Sequence, residues 1–181
     1  MRSETIPEHY RKLYLSFIRL ACWMVFFGLL SGILFQESTR KVPHGTPSPG
    51  IHWEAVYHLA LVHGHVFLIG VMIPLAVLTL LQFSLLLGAQ PIGSRAARWG
   101  SLLYHSGAGL TALLILYKGY HYVLSVRAGQ LDFAIIHETY FAGSHLLRAI
   151  VYGIAHSALG AALIILVVAI LRNLPKNGKR A

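Results

Sequence analysis

The sequence predicts an all-α integral membrane protein, a four-helix bundle with both chain ends on the cytoplasmic side. Of the 181 residues, 56% are hydrophobic and only 12% are charged, and the mean hydropathy is +0.62. A soluble domain of this length leaves too much surface in water to hide so much apolar area. The chain also has four long apolar runs, each near or above the roughly 18–20 residues that a helix needs to cross the hydrocarbon.

The whole chain, residues 1–181, is predicted to form one membrane domain. The predicted helices cover about 13–35, 56–87, 99–123 and 146–171, and the predicted outer loops cover 36–55 and 124–145. Pro74 should bend the second helix, because its ring clashes with the carbonyl of Gly70. Within the second outer loop, Leu131–Tyr140 is apolar and is expected to form a short interfacial helix.

The positive charge follows this topology. The formal net charge is +9, and ten of the fifteen Lys and Arg residues fall in segments predicted to lie inside. They are Arg2, Arg11, Lys12, Arg19, Arg95, Arg98, Arg172, Lys176, Lys179 and Arg180. Such a bias sets the orientation of membrane proteins, so we expect a multi-pass protein in contact with the lipid bilayer and no nucleic-acid partner.

Histidine is the residue type that indicates a functional site in this chain. The chain has eleven histidines, and His63, His65, His105 and His156 lie within apolar runs. An ionisable side chain inside a membrane span needs compensation for its lost hydration, and it therefore indicates a functional site. The single cysteine, Cys22, excludes a disulfide within the chain, and without a Cys-x-x-Cys-His motif a haem would be held non-covalently.

His63-Gly64-His65 is the most specific sequence signal among these histidines. Two residues that are two positions apart point about 200° apart around an α-helix. They therefore cannot bind one metal ion together, and as ligands they would serve two different centres. Gly64 carries no side chain, so a large flat ligand could approach the backbone between them.

The depth of the histidines predicts a haem b site in the outer half of the membrane. His63, His65 and His156 each lie roughly 10–15 Å below the outer ends of their helices at about 1.5 Å per residue. Imidazoles that converge in an apolar bundle suit haem iron, so all three are candidate axial ligands. Arg148 could reach a haem propionate, although it could equally snorkel to the outer interface.

Other interpretations of the same residues stay open. Each histidine could simply hydrogen-bond a neighbouring helix, which is the first expectation for His105. The histidines could also line the path of a transporter or metal-ion permease, or belong to a structural or assembly subunit. The small residues Gly28 and Gly32, and those of the last helix (Gly153, Ser157, Gly160), should mark contacts within or between chains.

Most of the chain resembles a family of small, functionally unassigned four-helix bacterial membrane proteins. The resemblance lies in Gly32-Ile33-Leu34-Phe35-Gln36-Glu37, in His63-Gly64-His65-Val66-Phe67-Leu68-Ile69-Gly70 and in Gly153-Ile154-Ala155-His156. It implies a location in the bacterial inner, cytoplasmic membrane.

The His-x-His pattern is also similar to one helix of the catalytic subunit of haem–copper oxidases and nitric oxide reductases. In that twelve-helix fold the two histidines bind two separate haems. The resemblance implies a homo-oligomer, a trimer of this chain, in which His63 of one copy and His65 of the next bind one haem. The chain lacks that family's copper ligands, so oxygen reduction and proton pumping are not implied.

Together these observations predict a b-type haem protein that transfers electrons or binds a diatomic gas, NO or O2, near the outer face. A quinol or another electron carrier is the expected partner, and Tyr120, His121, Tyr122 and His137 are candidates to line its site. The sequence assigns no enzymatic reaction.

Overall fold

The computed structural model describes residues 7–42 and 49–175. These residues form α1 (Glu8–Lys41), α2 (Pro49–Phe67), a π-helical turn (Leu68–Met72), α3 (Ile73–Leu86), α4 (Ser94–Arg127), α5 (Phe133–Thr139) and α6 (His145–Asn173). The segments α1, α2–α3, α4 and α6 are long and apolar enough to cross a membrane, and the described residues contain no strand. The predicted fold class, an all-α four-helix membrane protein, is confirmed.

The helices extend further on the outer side than the sequence predicted. α1 continues to Lys41 and α2 begins at Pro49, so much of the predicted loop 36–55 is helical. The prediction ended each helix where polar residues begin, but a helix can continue into the interface, and there Arg40 pairs with Glu37 at 3.1 Å. The remaining predicted loop residues Pro43, His44 and Pro47 lie outside the described residues.

The second outer segment is also more ordered than the predicted loop 124–145. α4 continues to Arg127, and the predicted short helix is present as α5. Asp132 caps α5, because its side chain accepts hydrogen bonds from the backbone N–H groups of Ala134 and Ile135. α5 is attached to α4, because Nε2 of His121 donates to the carbonyl of Ile136 at 2.9 Å and the Ile136 side chain is buried.

The start of α1 and the end of α6 lie at the same end of the bundle. At the start of α1, His9 Nε2 donates to the carbonyl of Ile92 at 2.9 Å. The backbone N–H of Gln90 donates to the carbonyl of Asn173, in the last turn of α6, at 3.2 Å. We call this the inner end and the opposite one the outer end, following the predicted orientation.

Helix α4 is the centre of the packing, since it contacts α1, α2 and α6. Three glycines make these contacts close: a Cβ atom would lie 2.7 Å from Leu166 at Gly100, 2.8 Å from Leu159 at Gly107 and 2.5 Å from Leu59 at Gly119. Helices in lipid associate through such close backbone approach. By contrast, α6 touches α3 only lightly, so it packs mainly against α4.

The Gly28-x-x-x-Gly32 motif is a contact within the chain. A Cβ atom at Gly28 would lie 2.7 Å from the ring of Phe67, and one at Gly32 would lie 3.1 Å from Nδ1 of His63. At Gly153 and Gly160 of α6 a Cβ atom would meet nothing within 4 Å. The glycines of α1 are therefore used inside the protomer, and those of α6 face outward.

Pro74 causes the π-helical turn in the second span. The N–H of Ile73 donates to the carbonyl of Leu68, one residue beyond the α-helical partner, and in this register the carbonyl of Ile69 would need an N–H that Pro74 lacks. The hydroxyl of Tyr104, which is 0% exposed, donates to that carbonyl at 2.5 Å. A side chain of α4 thus satisfies the backbone group that proline leaves free.

Tyr104→Phe should destabilise the protein by about 1–3 kcal/mol, because the carbonyl of Ile69 would then be buried without a donor. The measurement is thermal unfolding of the purified protein in detergent micelles. Tyr14→Phe is the matched control, since the Tyr14 hydroxyl donates to Gln82 at an exposed position. Equal unfolding temperatures of the two variants would contradict this role of Tyr104.

Candidate functional site

His63 is fixed by α1. Its Nδ1 donates to the carbonyl of Gly28 at 2.9 Å, and the absence of a side chain at Gly32 makes room for the ring. The ring also packs edge-on against Phe67, with the centroids 4.9 Å apart. His63 nevertheless remains exposed on the surface of the protomer, so a ligand can approach its ring from outside the protomer.

His65 is fixed by its own helix. Its Nδ1 donates to the carbonyl of Leu61, one turn earlier, at 2.9 Å, and the side chain is half-buried. Gly64, between the two histidines, is exposed, and a Cβ atom there would meet nothing within 4 Å. The backbone of α2 is therefore open to a flat ligand at this point.

His156 lies on the exposed side of α6. Its Nδ1 donates to the carbonyl of Tyr152 at 2.8 Å, and the two rings stack with centroids 6.2 Å apart. Within the described residues no three His, Cys, Asp or Glu side chains are close enough to hold a metal ion together. The three candidate ligands His63, His65 and His156 therefore do not form one cluster inside a single chain.

The three imidazoles have the same protonation pattern. In each, Nδ1 faces a carbonyl oxygen and must carry the hydrogen, so in the neutral ring Nε2 holds the lone pair that can bind a metal. A histidine ligand whose other nitrogen donates to a backbone carbonyl is held in a fixed orientation. His63, His65 and His156 are thus prepared to act as Nε2 ligands.

His105 differs from these residues. Its Nδ1 lies 2.7 Å from the carbonyl oxygen of Ser101, and its Nε2 lies 3.1 Å from that of Ser16. Both ring nitrogens face acceptors, so neither offers a lone pair to a metal without losing a contact. His105 connects α4 to α1, as expected for a histidine that hydrogen-bonds a neighbouring helix.

A second group of polar side chains lines a cavity at the outer end, which we call the outer cavity. Its volume is about 340 Å³, and it lies between α4, α6 and the segment around α5. It is lined by Lys118, His137, Tyr140, His145, Arg148, Ala149 and Tyr152. Arg148, predicted to contact a haem propionate, is therefore part of a larger basic site.

Arg148 is held by two imidazoles. Its Nη1 donates to Nε2 of His137 at 3.0 Å and to the carbonyl of His137 at 3.2 Å, and its Nη2 donates to Nδ1 of His145. Because an arginine is always charged and only donates, both imidazole nitrogens must be acceptors. Nδ1 of His137 then carries the hydrogen and donates to the hydroxyl of Tyr122 at 3.2 Å.

The surroundings of His137 and Tyr140 favour their neutral forms. Burial lowers the pKa of His137, and the positive charges of Arg148 and Lys118 lower it further. Burial also raises the pKa of Tyr140, whose hydroxyl lies 2.9 Å from that of Tyr152. The phenols are thus uncharged at neutral pH, and the cavity keeps the charge of its two cations.

The backbone between two of the cavity-lining residues, Tyr140 and His145, is strained. Phe141 and Ala142, which connect α5 to α6, have φ angles of 58° and 51°. Non-glycine residues rarely adopt such angles, and they do so where the surroundings fix them, commonly at functional sites. This link connects Tyr140 to His145, and both residues line the cavity.

The sequence identified only part of this group. Of the four residues considered for a quinol site, Tyr122 contacts His137, and His121 donates to the carbonyl of Ile136 at 2.9 Å, whereas Tyr120 packs against the outer hydrophobic core. Lys118, Tyr140 and Tyr152 were not predicted. No local spacing connects Lys118 to Arg148, so the sequence carries no signal for their meeting.

His137→Gln should weaken the pH dependence of stability. A lowered pKa means that the unfolded chain binds a proton before the folded one does, so stability falls as the pH drops below the ordinary histidine value of 6.5. Gln removes this titration, and its amide oxygen can still accept from Arg148. The measurement is the unfolding temperature between about pH 7.5 and about pH 5.5; identical slopes in the two proteins would contradict the assignment.

The comparisons with known proteins identify a family. A model of DUF2871, described as a protein of unknown function, matches residues 15–173. The match covers most of the chain, so the chain belongs to this family, and the predicted resemblance to small, functionally unassigned membrane proteins is confirmed. No curated protein and no solved structure matches the chain. None of these comparisons supports the resemblance to haem–copper oxidases, which stays a prediction.

Proposed function

For this member of DUF2871 we propose a b-type haem protein of the bacterial cytoplasmic membrane that transfers electrons or binds NO or O2 near the outer face. The observation that carries the proposal is the common arrangement of His63, His65 and His156. In each, Nδ1 donates to a backbone carbonyl, which leaves Nε2 as the nitrogen that would bind iron.

Haem fits these residues better than a protein-bound zinc or copper ion. Haem supplies four nitrogen ligands of its own and needs one or two imidazoles, whereas such an ion needs three or four protein ligands. The described residues offer single histidines and no cluster of three. Gly64 leaves the α2 backbone open beside both rings, as a macrocycle requires.

His63 and His65 would serve two different haems. Their positions differ by about 200° around α2, and each imidazole is tied to a different carbonyl, on α1 for His63 and on α2 for His65. One chain therefore presents two half-sites. Because His63 is exposed and His65 is half-buried, His63 of one copy and His65 of a neighbouring copy could complete one site, and a homotrimer would arrange twelve helices in a ring.

The number of imidazoles that bind the iron would decide between electron transfer and binding of a diatomic gas. When bound, haem with two histidines supplies one-electron transfer, and haem with an open position binds diatomic gases. Two half-sites that meet across an interface favour the first role. A quinol or another electron carrier would be the redox partner.

His65→Ala should lower the affinity for haem by about 100-fold or more, because loss of a ligand costs at least as much as loss of the groups that orient it. The measurement is the absorption spectrum of protein purified from haem-replete cells, oxidised and dithionite-reduced, with haem per chain from a pyridine haemochrome assay. His105→Ala is the control and should keep the Soret band, because both nitrogens of His105 face carbonyls. A wild-type protein with no Soret band would refute the proposal.

Gly64→Leu should abolish haem binding and leave the protomer folded, since a Cβ atom there meets nothing within 4 Å. Gly109→Leu is the matched control, because its Cβ direction is equally open and it lies on α4, which carries none of the candidate ligands His63, His65 and His156. Haem per chain and helical circular dichroism would be measured for both variants. Normal haem content in Gly64→Leu would show that this face of α2 does not hold the macrocycle.

A further inference from the structure

The outer cavity holds two cations, and neither forms an ion pair with a carboxylate of the described residues. Lys118 from α4 and Arg148 from α6 both line it. The ion pairs of the described residues join Lys12 to Glu8 and Arg40 to Glu37, so neither cavity cation lies within 4.0 Å of a carboxylate in this part of the chain. Two like charges beside an apolar bundle repel each other and are poorly hydrated, and a bound anion would relieve both costs.

The remaining groups of the outer cavity do not supply that negative charge. His137 and His145 accept hydrogen bonds from Arg148 and are therefore neutral. The Tyr140 hydroxyl donates to the carbonyl of Leu114 at 3.2 Å and also contacts Tyr152. The phenol protons are thus used within the protein. The charges of Glu138 and Glu54 act on His137 and Tyr122, but neither carboxylate lines the cavity, so its two lining charges are both positive.

Hydrogen-bond donors remain available for a ligand. An arginine has five N–H donors. Arg148 uses three of its N–H groups in hydrogen bonds to His137 and His145. The ammonium of Lys118 lies 5.7 Å from the ring centroid of Tyr122, over its face, and this contact uses none of its N–H groups in a conventional hydrogen bond. Arg148 is oriented by its imidazole partners, so little side-chain freedom would be lost on binding an anion.

We propose that the outer cavity binds a phosphate group with an uncompensated negative charge, either free phosphate or the headgroup of an anionic phospholipid. A phosphate has enough oxygen atoms to bridge an arginine and a lysine that come from different helices. The volume of about 340 Å³ accommodates such a group. The cavity lies at the outer end of α6, which is the least buried of the four spans, with 17% of its apolar window buried, so a lipid has access from the bilayer.

This inference is independent of the haem proposal. Arg148 lies eight residues before His156 on α6, and as a haem propionate contact it would be needed for haem binding rather than for phosphate binding. Haem content and phosphate affinity, measured on the same variants, therefore separate the two roles.

The test is titration of the purified full-length protein with three probes. Binding is measured by isothermal calorimetry or by the shift in unfolding temperature. The probes are inorganic phosphate, a short-chain phosphatidylglycerol and the matching phosphatidylcholine, whose choline compensates the charge. The variants are Arg148→Gln and Lys118→Gln. Arg127→Gln is the matched control, because it also removes one positive charge at the outer end and Arg127 does not line the cavity.

Each cavity variant should weaken phosphate or phosphatidylglycerol binding by about tenfold or more, the effect expected for loss of a charged hydrogen-bond partner, and Arg127→Gln should change it little. Binding of phosphatidylglycerol alone would identify a lipid headgroup site, and binding of inorganic phosphate alone a site for the free anion. Lys118→Gln keeps the test valid if Arg148→Gln fails to fold.

Three results would overturn the inference. The first is that neither anionic probe binds. The second is that phosphatidylcholine binds as well as phosphatidylglycerol. The third is that Arg127→Gln loses as much affinity for the anionic probes as the cavity variants do. If Arg148→Gln loses haem and keeps its phosphate affinity, Arg148 is a propionate contact and the haem proposal stands alone. If His65→Ala loses haem and keeps its phosphate affinity, the two sites are separate.

Discussion

The close approach of α4 to its neighbours is the constraint on which the rest of the structure depends. Lipid tails are as apolar as the helix surfaces, so packing relies on contact between backbones rather than on a hydrophobic effect. Gly100, Gly107 and Gly119 leave no room for even a Cβ atom. Because these contacts fix α2 and α6 on α4, they also set where the histidines of those two helices face.

The orientation of the imidazoles follows from a second constraint, the cost of an unpaired polar group in an apolar medium. Each candidate ligand satisfies Nδ1 with a backbone carbonyl, on α1 for His63 and one helical turn away for His65 and His156. The same constraint applies near Pro74, where the hydroxyl of Tyr104 donates to the carbonyl of Ile69, which proline leaves without a backbone donor. A bundle that pairs these polar groups internally can still present Nε2 to a ligand outside the protomer.

The two proposed sites lie in different electrostatic surroundings. The histidines of α2 lie in the apolar part of the span, where a largely apolar macrocycle fits. The outer cavity combines Lys118 and Arg148 with neutral imidazoles and phenols, which suits an anion at the membrane interface. The strained link at Phe141 and Ala142 belongs to this second region and brings the start of α6 beside α5.

The sequence by itself determined the fold class, the four spans, the short helix near Leu131–Tyr140 and the family, because the length of an apolar run and the bilayer thickness are local quantities. It also singled out His63 and His65 as candidate ligands, and their spacing means that, as ligands, they would serve different sites. Only the tertiary structure decided how far the helices extend, that Gly28 and Gly32 pack inside the protomer, and that Lys118 and Arg148 line one cavity. Those two residues are thirty positions apart on different helices, and their shared place in the cavity depends on how α6 packs against α4, which no local pattern encodes.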